Sequence, residues 1–169
     1  SIELPMLCSL FSIDLENFMF GDRTDDELFF VFHSFIFPPT DCRYSYANNK
    51  LEVIDKPELP YYFQNYTVNQ VFVESKDGTR VPMFLVHKKT KLEMDPEPAL
   101  LYGYGGFNIS ITPGFLVSRL VWLELGGTLA VAVLRGGGEY GEEWHRAGSI
   151  LKKQNVFDDM IACAEFLIE

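Results

Sequence analysis

Three glycines frame one tyrosine in the segment Gly103-Tyr104-Gly105-Gly106-Phe107-Asn108. Glycine takes up backbone conformations closed to other residues, so a side chain set between glycines can project from a sharp turn. A phenol with an ordinary pKa near ~10 stays protonated at neutral pH and donates a hydrogen bond. Aimed at the oxygen of a tetrahedral acyl intermediate, one such donor contributes roughly 2.7–4 kcal/mol to the reaction. Phe107 would wall an apolar pocket beside it. Aromatic side chains more often pack in a core, and residue types alone leave both readings of Tyr104 and Phe107 open.

A second cluster, Arg135-Gly136-Gly137-Gly138-Glu139-Tyr140-Gly141, matches the pattern G-x-G-x-x-G. A dinucleotide site needs a helix directly after the glycines and an acid at the end of the next strand. Here Glu142–Ala147 is short, Gly148 interrupts it, and Asp158 and Asp159 fall in a predicted helix. The glycines are therefore read as a sharp backbone turn. His33, His87 and His145 are isolated, and no G-x-S-x-G or G-x-C-x-G elbow occurs, so no Ser–His–Asp set can be assembled. Cys8, Cys42 and Cys163 are odd in number and widely spaced, as expected of reduced thiols in a cytosol. No CxxC or His-rich cluster suggests a metal.

The elements that must carry these loops follow from the patterning. Glu27–Phe37 is rich in Leu, Phe, Val and Ile and reads as a strand ended by Pro38-Pro39. Cys42–Tyr46 and Lys50–Ile54 are shorter strands split by the turn-forming Asn48-Asn49. A few short strands leave open edges, so this half reads as part of a larger β architecture. Lys56–Pro60, with two prolines, marks a boundary.

Beyond it, Val68–Ser75 and Arg80–His87 form a hairpin around Asp77-Gly78. Ala99–Tyr104 is a strand, and Phe115–Leu125 a helix with its apolar face at 116, 120 and 123, ended by Gly126-Gly127. Thr128–Leu134 is unbroken apolar sequence, as in a strand buried on both faces of a parallel sheet. Asn155 is placed to cap a last helix, with Asp158 three positions on, and that helix would bury Phe157, Ile161, Ala164 and Ile168. Alternation of strand and helix predicts a parallel α/β sheet with right-handed crossovers.

The 169 residues are 47% apolar and 22% charged, ordinary for a globular protein, with a net charge of −10. Nucleic acid and anionic lipid both require clustered Lys or Arg. The nearest approach is Lys88-Lys89-Thr90-Lys91, read as a solvated loop. No apolar run approaches the ~20 residues of a membrane helix, and no signal peptide is visible.

The loops and their flanks, read together, resemble one family. Leu101–Pro113, Arg135–Gly141 followed by Trp144-His145, Ser75–Thr79 with Pro82-Met83-Phe84 and Val86–Lys89, and Phe157-Asp158-Asp159 are together similar to the prolyl oligopeptidases. The resemblance runs from about Val71 to the end and is weaker over residues 1–60. It implies a serine peptidase cleaving short peptides after proline, without metal or cofactor. It also implies an α/β fold, the first part of an α/β-hydrolase domain preceded by the last strands of a seven-bladed β-propeller. Residues 1–58 would be the end of the propeller and residues 59–169 the start of the hydrolase domain.

Carried over by motif, Tyr104 would be the catalytic side-chain donor of the oxyanion hole, and Phe107 would line the specificity pocket. Relatives that cleave after basic residues differ at the positions of Gly106 and Phe107, which favours proline here. The triad serine, aspartate and histidine would lie beyond Glu169, so the 169 residues alone are expected to be inactive. The parent is expected to be a cytoplasmic monomer acting on short proline-containing peptides, with no nucleic-acid or membrane partner. The alternatives are a sister oligopeptidase of other specificity, acting after basic residues or releasing acylated amino acids, and a truncated, non-catalytic interaction module.

Overall fold

The computed structural model describes residues 7–11, 24–55, 63–89 and 98–169. The chain divides into two compact units, Ser1–Gln64 with Pro113–Leu120, and Asn65–Thr112 with Val121–Glu169. The expected boundary segment 56–60 lies outside the described residues.

The first unit holds a four-stranded antiparallel meander of β1 (Ser9–Phe11), β2 (Glu27–His33), β3 (Thr40–Ser45) and β4 (Lys50–Asp55). One face buries Phe30, Phe32, Phe37, Cys42 and Tyr44. The strand read over Glu27–Phe37 stops at His33. Ser34 Oγ accepts the Ile36 N–H at 3.3 Å and the Ser34 N–H donates to the Phe37 carbonyl at 2.9 Å. A serine hydroxyl competing for local backbone donors favours such a turn over a ladder. The turn brings Phe37 back to stack on Phe32, with ring centroids 5.2 Å apart. Asn49 closes the β3–β4 turn with φ +51°, a region Asn tolerates better than most residues. Arg43 answers the carboxylates of its neighbouring strands, at 3.2 Å from Glu52 and 3.6 Å from Glu27.

In the second unit, β5 (Tyr66–Glu74) and β6 (Arg80–Lys88) pair over nine residues around the Asp77-Gly78 turn. Gly78 has φ +82°, and Asp77 Oδ1 accepts the Thr79 N–H at 3.1 Å. The sheet is completed by β8 (Thr128–Ala132) and β7 (Ala99–Gly103), in the order β5-β6-β8-β7. The sheet expected to be parallel is mixed. Only β7 and β8 run parallel, and β6 pairs antiparallel with β8. The hairpin supplies the reason, because its second strand occupies the edge of β8 that a further parallel strand would need. The burial read for β8 stands: Leu129, Ala130, Val131 and Ala132 are fully buried.

Helix α1 (Val117–Glu124) ends in the expected glycine pair. Gly126, at φ +97°, donates to the Leu123 carbonyl and Gly127 to that of Trp122, which satisfies two end carbonyls in a Schellman motif. Of its expected apolar face, Leu120 and Leu123 are buried and Leu116 is exposed.

Helix α2 (Gly141–Ala147) leads through a short 3-10 turn at Ile150–Lys152 into α3 (Gln154–Ile168). α3 buries Val156, Asp159 and Cys163, with Met160 and Leu167 partly buried, against Val73, Val81, Met83, Ala130, Ala132 and Leu134. Each such apolar side chain, fully buried, contributes about 1.5–3 kcal/mol. The face expected from Phe157, Ile161 and Ile168 is exposed instead. Asn155 is not the cap: Lys153 precedes the helix, and Asn155 Nδ2 donates to the Ala147 carbonyl at 2.8 Å. The 3-10 turn delivers the chain already helical at Lys153 (φ −59°, ψ −26°), two residues before the expected cap at Asn155.

Candidate functional site

Because β7 and β8 are parallel, the loops at their carboxyl ends emerge on one side of the sheet. That is where open α/β sheets place their ligand sites. The first loop runs from Gly103 to Asn108 and the second from Val133 to Tyr140.

The two loops touch backbone to backbone. Gly136 has φ +94°, and a Cβ there would lie 2.6 Å from the Gly105 carbonyl oxygen. Gly105 has φ +60°, and a Cβ there would meet Val156 Cγ1 at 2.6 Å and the Arg135 carbonyl oxygen at 2.7 Å. The Asn108 N–H donates across to the Gly136 carbonyl at 3.2 Å. Close approach between loops therefore accounts for these glycines, and the seven-residue α2 behind them does not make a dinucleotide cradle.

The first loop presents the two residues singled out by sequence. Tyr104 is 42% exposed and Phe107 85% exposed, so neither is a core residue. Phe107 and Asn108 sit in the left-handed region, at φ +51° and +57°. A phenylalanine held there is unusual, and such conformations persist where the surroundings over-determine them. Here Asn108 is tied to Gly136, and the Ile109 N–H to the Gly106 carbonyl at 3.0 Å. Lys153, at the start of α3, donates from Nζ to the Gly105 carbonyl at 2.6 Å.

The second loop is held from beneath by a buried charge network that pattern reading missed. Arg135 is 4% exposed and Asp159 0%. Asp159 Oδ1 accepts from Arg135 Nη2 at 2.6 Å, and Oδ2 accepts from Nε at 2.9 Å and from the Arg135 backbone N–H at 3.1 Å. Ser75 Oγ donates to Asp159 Oδ1 at 2.7 Å. Arg135 Nη1 reaches Asp77 Oδ2 at 2.5 Å and Thr79 Oγ1 at 3.1 Å. The guanidinium holds the Asp77 carboxyl down at about 2, mainly through that hydrogen bond. Burial, reinforced by the Asp159 charge, pushes the Cys163 thiol up to about 12 and leaves it inert.

His145 and Trp144 finish the loop. His145 Nδ1 lies 2.8 Å from the Gly136 carbonyl oxygen, and Trp144 Nε1 donates to the Leu134 carbonyl at 3.1 Å. The hydroxyl near His145, that of Ser149, donates to the His145 carbonyl at 2.6 Å and sits 3.5 Å from either ring nitrogen. It is not presented as a nucleophile. Among the described residues no group of three or more His, Cys, Asp or Glu could hold a metal ion, and no helix is long and apolar enough to cross a membrane.

Residues 113–169 match the family model described as the prolyl oligopeptidase family. A prolyl endopeptidase from Elizabethkingia meningoseptica is 44% identical over 147 residues, 87% of this chain and 21% of the relative. One from Elizabethkingia miricola is 46% identical over the same shares. A solved structure from a mechanistic study of two prolyl endopeptidases superposes with a TM-score of 0.85 at 45% identity, covering 99% of this chain and 24% of its own. The chain thus spans about a fifth of the length of the curated relatives it matches.

Proposed function

Since the chain belongs to the prolyl oligopeptidase family, we propose that the protein it comes from is a serine peptidase that hydrolyses short peptides after proline. Tyr104 is the side-chain donor of its oxyanion hole, and Phe107 lines the pocket that takes the proline ring. Residues 1–58 form the end of a β-propeller domain and residues 59–169 the first part of an α/β-hydrolase domain. The protein acts in the cytoplasm without metal or cofactor.

One observation carries this reading. Tyr104 stands exposed on a hydrogen-bonded loop at the carboxyl end of β7, beside the loop of its parallel neighbour. An oxyanion donor must be fixed before the reaction, because reorganising it during the reaction would forfeit its electrostatic advantage. The backbone ties around Gly105, Asn108 and Gly136 give Tyr104 that fixed base. Phe107, three residues on, offers an apolar ring to solvent, as a pocket wall would before substrate arrives.

The nucleophile is not among these residues, because the chain contains no G-x-S-x-G elbow. Without that elbow the 169 residues alone have no serine to form an acyl-enzyme, and the expected outcome of an assay on them is no turnover of a proline-containing fluorogenic peptide. In the full-length protein, Tyr104→Phe lowers kcat about 10²–10³-fold while KM stays within about threefold. An unchanged kcat removes Tyr104 from the oxyanion hole. Faster cleavage after arginine than after proline by the wild-type protein would assign the sister specificity instead.

A further inference from the structure

We propose that Lys153 is a positioning residue for Tyr104, acting through the carbonyl of Gly105. The inference rests on the oxyanion reading of Tyr104 and adds the part that holds it in place. Lys153 stands where the 3-10 turn Ile150–Lys152 runs into α3, with helical φ and ψ, and its carbonyl accepts the Val156 N–H at 3.1 Å. Its Cα is therefore fixed by the helix, and its side chain reaches across to the loop after β7.

The ammonium donates to the Gly105 carbonyl at 2.6 Å, a short, charge-assisted bond. That carbonyl belongs to the Gly105–Gly106 peptide, the second after Tyr104, at the point where the chain turns with φ +60°. The first turn of α3 and the residue that precedes it both support Gly105. Val156 Cγ1 closes the space a Gly105 side chain would need, at 2.6 Å, and Lys153 takes the carbonyl. Tyr104 and Lys153 also converge on one place. The position of a Gly106 Cβ lies 3.7 Å from Tyr104 Cε1 and Cζ and 3.8 Å from Lys153 Nζ. The phenol end of the ring and the ammonium thus share the small volume that Gly106 leaves open. Removing the ammonium frees the Gly105–Gly106 peptide to rotate, and with it the surface on which the Tyr104 ring rests.

A donor displaced by an ångström loses transition-state stabilisation while leaving ground-state binding nearly intact. In the full-length protein, with a proline-containing fluorogenic peptide, Lys153→Met is expected to lower kcat about tenfold and to leave KM within about twofold. Lys153→Arg, which restores a cationic donor, recovers most of that loss. Groups that act as a unit are non-additive. In a Tyr104→Phe background, Lys153→Met should therefore cost less than about a further twofold. A product of the two single losses in the double variant, or an unchanged kcat in Lys153→Met, overturns the positioning role. If Tyr104→Phe alone leaves kcat unchanged, the oxyanion reading fails first and the inference with it, a result distinct from additive losses. Should Lys153→Met not fold, Lys153→Gln carries the same cycle, with the thermal midpoint of each variant separating lost fold from lost position.

Discussion

Both loops at the carboxyl ends of the parallel strands are rich in glycine, yet the first carries Tyr104 and Phe107 exposed and the second starts over a buried arginine. In the first, Gly103, Gly105 and Gly106 leave Tyr104 and Phe107 projecting. In the second, Gly136 removes the side chain that would keep the loops apart, and Gly138 does the same against the Asn108 carbonyl, 2.6 Å from its Cβ position. Glycine removes an obstacle in both loops, at Gly105 as at Gly136 and Gly138, and in the first it does so between two side chains that stay exposed. The second loop acts as a floor, anchored by Arg135 and Asp159, and the first is the displayed surface.

The sharpest way to break this contrast is to remove the anchor. Arg135→Met leaves the fully buried Asp159 without its guanidinium, and an orphaned buried charge costs about 3–5 kcal/mol. Urea titration of the full-length protein should show that loss. Arg135→Met with Asp159→Leu should regain much of it, because a buried pair exchanged for apolar groups is often neutral. A variant Arg135→Met that unfolds at the wild-type urea concentration would mean the second loop is not a floor.

A smaller effect separates two adjacent glycines of the first loop. Gly105→Ala forces a Cβ to within 2.8 Å of Val156, Arg135 and Leu134 atoms at φ +60°, and should cost at least about 1–3 kcal/mol. Gly106→Ala places its Cβ no nearer than 3.7 Å to any atom, an ordinary contact, so stability should hold within about 0.5 kcal/mol. Its new methyl group touches the Tyr104 ring, so kcat rather than the urea midpoint is the quantity it should change. Equal stability losses in the two variants would erase the distinction between packed and open glycines.

Much of this arrangement was legible in short stretches of sequence. The Asp77-Gly78 hairpin, the Gly126 helix end and the doubly buried β8 each depend on neighbours in the chain, and each formed as read. The glycine spacing likewise marked the turn on which Tyr104 and Phe107 stand exposed. The errors fall where partners are distant. The antiparallel pairing of β6 with β8 joins residues more than forty positions apart, and no periodicity announces it. The buried face of α3 differs from the expected one because Arg135, 24 residues earlier, draws Asp159 into the core. Lys153 was hidden in the ordinary-looking pair Lys152-Lys153, and only the position of the Gly105 carbonyl distinguishes them.

The smallest expected effect tests the rim of the anchor. Asp77 meets the same guanidinium as Asp159, but its side chain is 47% exposed, so solvent screens the pair and its worth is under about 1 kcal/mol. Its carboxyl is held at about 2 in the folded protein, against about 3.9 in an unfolded chain. A depressed folded pKa means that the stabilisation is complete above the unfolded value and is lost as pH falls through the folded one. The difference in urea midpoint between wild type and Asp77→Asn should therefore be constant from neutral pH to about 5. It should shrink between about 4 and 2 as the wild-type carboxylate takes up its proton. The groups facing this guanidinium are Asp77, Asp159, Ser75 and Thr79, and of the two carboxylates Asp77 is the exposed one. Added salt should narrow the Asp77 difference and leave the cost of Arg135→Met nearly untouched, since screening reaches the exposed half of the network and not the buried half. A difference for Asp77→Asn that ignored both pH and salt would mean that Asp77 serves the hairpin turn, through Thr79, and not the anchor.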